Sequence, residues 1–257
     1  MSNDTAKAGP AAPEAHGPTG RRKRFYTSAS AGEHKGGFAL FLDDRLARTP
    51  AKAPFVLPTL AAAEAVALEW AAQDEIDFAS MPLTRIAHTA IDGVAFATEA
   101  VVAEMLKYAE TDLVCYRAGG PSTLVKAEAE AWDPILAFAT NRLGARFLCT
   151  EGIGFVEQPP EAIAAVRAKL EEIGRRGRGA PLALASLSLM TALTGSVLIA
   201  LALAEGAINL EEAWRAAHVD EDYEIKLWGA DEEAMQRRAR CHAEMTAADR
   251  LWRLAVA

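Results

Sequence analysis

The chain has few of the residues from which most catalytic and metal sites are built. Its 257 residues include three cysteines and five histidines. Cys115, Cys149 and Cys241 are odd in number and widely spaced, which argues against a disulfide framework or a zinc site and fits a reducing compartment. His16, His34, His88, His218 and His242 include no ligand pair at helical spacing. A Gly-rich phosphate loop is missing too, since "GEHKGG" has no Ser or Thr after its Lys. The "TGSV" at Thr194 lies inside an apolar run and is no nucleophile elbow. Positive charge is in deficit: 27 Lys and Arg stand against 35 Asp and Glu, for a net charge of -8. Nucleic acid is therefore not expected as the main partner, because phosphate binding needs a basic surface. The first twenty residues lack an apolar stretch, so they are no secretory signal. Residues 1–21 read as a disordered tail, and the basic "RRKR" of 21–24 as a solvated flank.

The chain is rich in one respect: it carries a long charge-free run. Residues 182–204 have no ionisable side chain over 23 positions, long enough to cross a bilayer. Two readings are open. The basic "RRGRG" before the run and Glu205 after it would suit an inserted helix. Against that, Ser186, Ser188, Thr191, Thr194, Gly195, Ser196 and many alanines interrupt the leucines, and small residues suit close helix packing. Four amphipathic helices around the run each need an apolar partner, and a helix apolar on all sides is the natural centre for them. The reading adopted is a buried bundle centre.

Two textures divide the rest. Residues 25–57 are short, mixed and turn-rich. Phe38, Leu40 and Leu42 alternate as in a strand, between "HKGG" and "DD" turns. "RFYTSAS" and "RLART" read as flanking strands, and Pro50, Pro54 and Pro58 restrict the chain around them to edge or extended segments. Beyond Pro58 the period is helical. One stripe is Leu60, Ala63, Val66, Ala67 and Trp70, with Thr59 as cap. Others are Val101, Val102, Met105, Tyr108 and Ala109; then Leu124, Ala131, Trp132, Ile135 and Ala139, with Pro134 at a start or kink; then Ile163, Val166, Leu170 and Ile173. Asn209 and Glu212 form a capping-box pattern, and a last helix is expected over 231–254. The fold class expected is α+β: a small N-terminal β-rich domain over 22–105, then a larger helical bundle domain over 106–257 with a buried central helix.

Candidate sites are few. Cys115, between Asp112 and Arg117, could be a nucleophile if the Arg lowered its pKa, or a buried packing residue. Asp231, Glu232 and Glu233 suit a helix N-terminus better than a metal site. Five tryptophans, Trp70, Trp132, Trp214, Trp228 and Trp252, punctuate the helical region. Trp228 stands at a helix break beside acids, where a protein contact is a reasonable alternative to core packing.

Five segments occur in order: "LDDRLARTPAKAPFVLPT" (42–59), "ALEWAAQDEIDFASMPLTRIAHTAID" (67–92), "YAETDLVCYRA" (108–118), "WDP" (132–134) and "VDEDYEIKLWGADEE" (219–233). In these the chain resembles the assembly chaperones for the alpha subunit of the ATP synthase catalytic sector, over roughly residues 22–235. The resemblance implies a β-containing N-terminal part and a helical C-terminal part, with no catalysis, no cofactor and no metal. It implies binding of the free alpha subunit before that subunit joins the beta subunit, with neither nucleic acid nor membrane insertion. The family's important acid after the Trp-Gly pair falls on Glu232, with Asp231 beside it. Glu224 stands where relatives often carry Gln, and "EAMQRR" comes after the acid here. The partner-binding residues expected are Glu224, Trp228, Asp231 and Glu232. The place of action implied is the bacterial cytoplasm, or the mitochondrial matrix for a matured eukaryotic member. A Cys115 enzyme and a single-span membrane protein are the alternatives.

Overall fold

The computed structural model describes residues 22–152 and 154–256; the expected tail lies outside them. Five short strands start the fold. β1 (Arg22–Lys23) pairs much later with β6 (Glu75–Ile76). β2 (Ala29–His34) and β3 (Gly37–Leu42) form an antiparallel hairpin in the register Ala29↔Leu42 to His34↔Gly37. β4 (Arg45–Leu46) and β5 (Val56–Leu57) both pair with β3. Leu40 and Leu42 are buried, as the alternation requires. The "DD" turn carries Asp43 and Asp44 at φ 46° and 62°, the two positive angles of a tight hairpin turn. At Gly37 a Cβ would lie 2.3 Å from the Leu57 carbonyl, so only glycine fits.

The flanking strands are shorter than expected. "RFYTSAS" becomes strand only at Ala29. Before it, side chains take the backbone groups that a ladder would use. Arg24 donates to the carbonyls of Tyr26, Thr27, Ala71 and Gln73. The Asp43 carboxylate accepts the Thr27 and Ser28 N–H groups at 2.8 and 2.9 Å. In "RLART" only Arg45 and Leu46 are paired as strand, with Arg48 bridging to Pro54.

α1 (Leu60–Ala71) begins at Thr59, whose hydroxyl accepts the Ala62 N–H. It buries Ala63, Val66, Ala67 and Trp70, while Leu60 of the expected stripe is exposed. α2 (Pro82–Asp92) is a helix that the periodic stripes did not reveal. Pro82 suits its first turn. No side chain at its N-cap, Met81, satisfies the open N–H groups. Glu69 of α1 does so from outside, accepting Leu83 N–H at 2.9 Å and Thr84 N–H at 2.7 Å, with Thr84 Oγ1 at 2.6 Å. Burial raises the pKa of this carboxyl.

α3 (Thr98–Glu110) leads to the short parallel pair β7 (Tyr116–Arg117) and β8 (Thr150–Glu151), between which lies α4 (Ser122–Phe138). Pro134 sits inside α4, which continues to Phe138. α5 (Pro160–Gly174) comes next. The charge-free run then folds as two helices, α6 (Ala180–Thr194) and α7 (Val197–Ala204). α8 (Leu210–Ala217) starts at a full Asn209–Glu212 capping box. α9 (Val219–Trp228) and α10 (Glu232–Val256) close the chain.

The run is mostly buried, as expected, but it is not one helix. Gly195 (φ 66°) ends α6 in the left-handed region, and the Ser196 hydroxyl caps α7 by accepting Ile199 N–H at 2.9 Å. Residues 197–203 are at most 1% exposed. No single helix among the described residues is long and apolar enough to cross a membrane. The hydroxyls inside α6 turn back on their own helix: Ser186, Thr191 and Thr194 donate to the carbonyls of Leu182, Leu187 and Met190. One contiguous apolar core reaches from Tyr26 beside the sheet to Ala255 in α10. The 105/106 division drawn from the sequence falls inside α3.

Asp112 lies at the break. It is fully buried, and its carboxyl accepts the Ser196 hydroxyl at 2.5 Å and Leu198 N–H at 3.1 Å. Burial pushes its pKa up to about 7, against the lowering effect of these donors. In the folded protein the carboxyl therefore holds its proton to about pH 7, whereas in the unfolded chain it loses it near pH 4. Between those values the folded state binds more protons, so this group's contribution to stability declines as pH rises, and is flat above.

Both inter-element caps can be probed by substitution. Asp112→Ala removes the acceptor of the Ser196 hydroxyl and the Leu198 N–H and should cost about 1–3 kcal/mol in urea unfolding. It should also shrink the stability difference between about pH 4.5 and about pH 8, relative to the parent chain. Glu69→Ala strips the start of α2 of its acceptor. It should lower stability by about 1–2 kcal/mol in thermal unfolding, with helix content retained below the transition.

Candidate functional site

Four of the five tryptophans are core. Trp70, Trp132, Trp214 and Trp252 are at most 8% exposed. Trp132 Nε1 donates to the Ala216 carbonyl at 2.7 Å, and Trp252 Nε1 to that of Ala204 at 2.8 Å. Trp228 is the exception at 85% exposed. It is the last residue of α9, and Gly229 (φ 91°) ends that helix with its N–H on the Ile225 carbonyl. A large aromatic ring in water at a helix end has no packing reason to be there, which makes this end of the molecule the candidate site.

The site is an arm built from α9 and the first turns of α10. Val219 is the buried residue of α9. Polar contacts hold the rest of that helix. Arg238 of α10 bonds Asp222 at 2.5 Å, approaches Glu221 at 3.5 Å, and lies over the Trp214 ring. Tyr223 and Thr123 share a hydroxyl hydrogen bond of 2.8 Å to α4. Trp214 is packed between His218 and His242, and burial holds the His218 pKa below its usual value. The base of the arm is thus an aromatic and ionic clamp, and its tip is exposed.

At the tip the four expected residues are close in chain order and all exposed. Glu224 is on α9, one turn before Trp228. Asp231 is the N-cap of α10: its carboxylate accepts Ala234 N–H at 2.8 Å. That gives Asp231 a structural duty besides any rim role. Glu232 is the first residue of α10, with Gln236 Nε2 at 3.5 Å. The structure adds two residues that sequence reading missed. Leu227 is 57% exposed and Met235 41%. Leu227 adjoins Trp228, and Met235 lies one turn into α10 from Asp231, which was the available signal. Residues 219–233 hold seven acids and one Lys, so the apolar tip sits in a negative field. The arrangement can bind an apolar patch bordered by basic side chains. It has no nucleophile and base set in contact.

Cys115 does not suit the enzyme reading. It is wholly buried, and burial first, then the Asp112 carboxyl, push its thiol pKa up, opposite to what a nucleophile needs. Arg117, the expected activator, is committed to the Val114 carbonyl, Asp133 and the face of Trp132. Among the described residues no three His, Cys, Asp or Glu side chains converge as a metal-holding group. A cleft of about 290 Å³ lies elsewhere, between the sheet and α2 and α6, lined by Val56, Leu57, Ile91, Phe96 and Leu182. Phe96 at its edge is 85% exposed.

Known proteins share this fold and much of this sequence. Residues 23–140 match the family described as ATP12 chaperone protein. The Atu1473 protein of Agrobacterium tumefaciens is 46% identical over 91% of this chain and 87% of its own, with a TM-score of 0.86. Atp12 from Paracoccus denitrificans is 39% identical over 91% of this chain and 98% of its own, with a TM-score of 0.82. Identity at this level, over nearly the whole chain and with the same fold, settles the relationship: the chain belongs to the ATP12 chaperone family.

Proposed function

We propose that this chain is an assembly chaperone of the F-type ATP synthase, that its client is the free alpha subunit of the catalytic sector, and that the α9–α10 tip is the contact. The observation that carries this reading is the exposed Trp228, with Leu227 and Met235, near Glu224, Asp231, Glu232 and Glu233 in the chain, on an arm whose ion pairs and aromatic contacts gather at its base. A subunit awaiting its partner exposes an apolar surface that invites aggregation. Covering it requires no covalent chemistry. It requires apolar anchors, charges that orient the encounter, and an affinity low enough for the true partner to displace the chaperone. Trp228 supplies an anchor, and Glu224 and Glu232 face outward to meet Arg or Lys on the client. Asp231 preserves the start of α10 and so keeps Glu232 in place. The place of action on this reading is the bacterial cytoplasm, where the catalytic sector is put together.

The defining test is light scattering of isolated alpha subunit with the purified chain and no nucleotide. Aggregation should be suppressed near equal stoichiometry, and failure to suppress it rejects the client. Glu232→Lys should leave circular dichroism and melting unchanged while weakening calorimetric binding by about tenfold or more. Trp228→Ala, equally folded, should lose about 2 kcal/mol of binding energy or more. Parent-like affinity in both folded variants would move the contact away from the tip.

A further inference from the structure

Two thiols 34 positions apart in the chain meet across the parallel pair β7–β8. The register sets Tyr116 against Thr150 and Arg117 against Glu151. Cys115, which ends the 3-10 turn Leu113–Cys115, and Cys149 are the residues immediately before the first pair of this register. The pairing also continues forward, where Gly152 N–H donates to the Arg117 carbonyl at 3.0 Å. Neighbouring strands run about 4.8 Å apart, so two residues that each enter such a pair are brought to about the Cα separation of 4.4–6.8 Å that a disulfide spans. Burial first, then the Asp112 carboxyl and the neighbouring Cys149 thiol, raise the Cys115 pKa, an influence that needs the two sulfurs near one another. Both are free thiols here, and they differ in access: Cys149 is exposed and Cys115 buried. An exposed thiol beside a buried one is the arrangement in which the first reacts with an oxidant and the second completes a bridge.

We propose that Cys115 and Cys149 form a reversible intramolecular disulfide, with Cys149 the attacking thiol and Cys115 the resolving one. The oxidant is a low-molecular-weight disulfide. The Cys149 thiolate attacks one sulfur, the oxidant's S–S bond breaks, and one half leaves as a thiolate that takes up the proton Cys149 released. Cys115 then loses its proton and attacks Cys149 Sγ. The second half leaves as a thiolate and accepts that proton. Two protein thiols are oxidised to one disulfide, and the oxidant is reduced to two small thiols. The burial that makes Cys115 inert toward molecules in solution does not block this second step, because its target is already bonded beside it. The bridge ties the segment after α3 to the segment after α4 and closes a loop that contains the whole of α4.

The test uses the full chain carrying Cys241→Ser, so that the partly exposed third thiol takes no part. It is equilibrated with oxidised glutathione at mildly alkaline pH and read by intact mass and peptide mapping. The expected product is lighter by two hydrogens, carries no glutathione, and yields a linked pair of peptides holding Cys115 and Cys149. Dithiothreitol should restore the starting mass. Oxidation should raise the melting temperature by about 5 °C or more. With Cys115→Ser added, the reaction should stop at a glutathione adduct on Cys149; with Cys149→Ser added, the chain should stay unmodified. A lasting adduct on Cys149 when both thiols are present, a bridge between two chains, or no reaction in excess oxidant would each overturn the proposal. None of these outcomes depends on the client, so the redox pair and the chaperone reading stand or fall separately.

Discussion

The fold turns on one buried carboxyl. Asp112 reaches the break in the apolar run and receives Ser196 and the backbone N–H of Leu198. A helix start within the core leaves N–H groups that no water can reach, and each would be costly unpaired. Ser196 satisfies one and Asp112 another. In exchange the protein buries a titratable group whose pKa rises to about 7. The arrangement allows 23 uncharged residues to bend and fill a centre that a straight helix would overrun. α6 then lies against α2, α3, α5 and α10, and α7 against α3, α4 and α8.

How much of this was readable in the chain depended on whether the partner was local. The burial of residues 182–204 was readable, because the neighbouring stripes needed something apolar to cover. The break was missed, because Gly195 and Ser196 read as small packing residues of one helix, and its stabiliser lies 84 positions upstream. No periodicity connects the two. α2 escaped for a related reason: its N-terminal acceptor is Glu69, on another helix. Local signals fared better. Thr59, Asn209 with Glu212, and the "DD" turn each act on residues within a few positions. The pairing of Cys115 with Cys149 was hidden because spacing along the chain carries no strand register.

Several of the segments that carry the family resemblance prove to be joints. "ALEW" and "MPLTR" are the two halves of one cap, Glu69 on Leu83 and Thr84. "ETDLVCYR" holds Asp112 at the core, Cys115 beside it, and Arg117 stacked on the Trp of "WDP". "LWGADEE" differs from these. Its Trp touches no core, its Gly makes a turn, and its acids point to water apart from the cap made by Asp231. A sequence pattern alone does not separate the two kinds of segment. Burial does: the first kind is covered, and the Trp and acids of the second are exposed on the arm.

On the proposed reading, the size of the exposed tip also bounds how the arm can bind. Fully burying a side chain the size of Trp228, roughly 150–250 Å², is worth about 4–6 kcal/mol before the cost of association, and Leu227 and Met235 add less because each is partly covered already. Micromolar affinity needs about 8 kcal/mol net, after the cost of association. The tip by itself therefore falls short, and a working interface has to extend past it. The acids contribute more to the speed and orientation of encounter than to its depth. A holding protein with one strong anchor, a charged rim and a further contact elsewhere loses grip as soon as a competitor covers any of the three. Release then needs no motor, only a partner with more surface to offer.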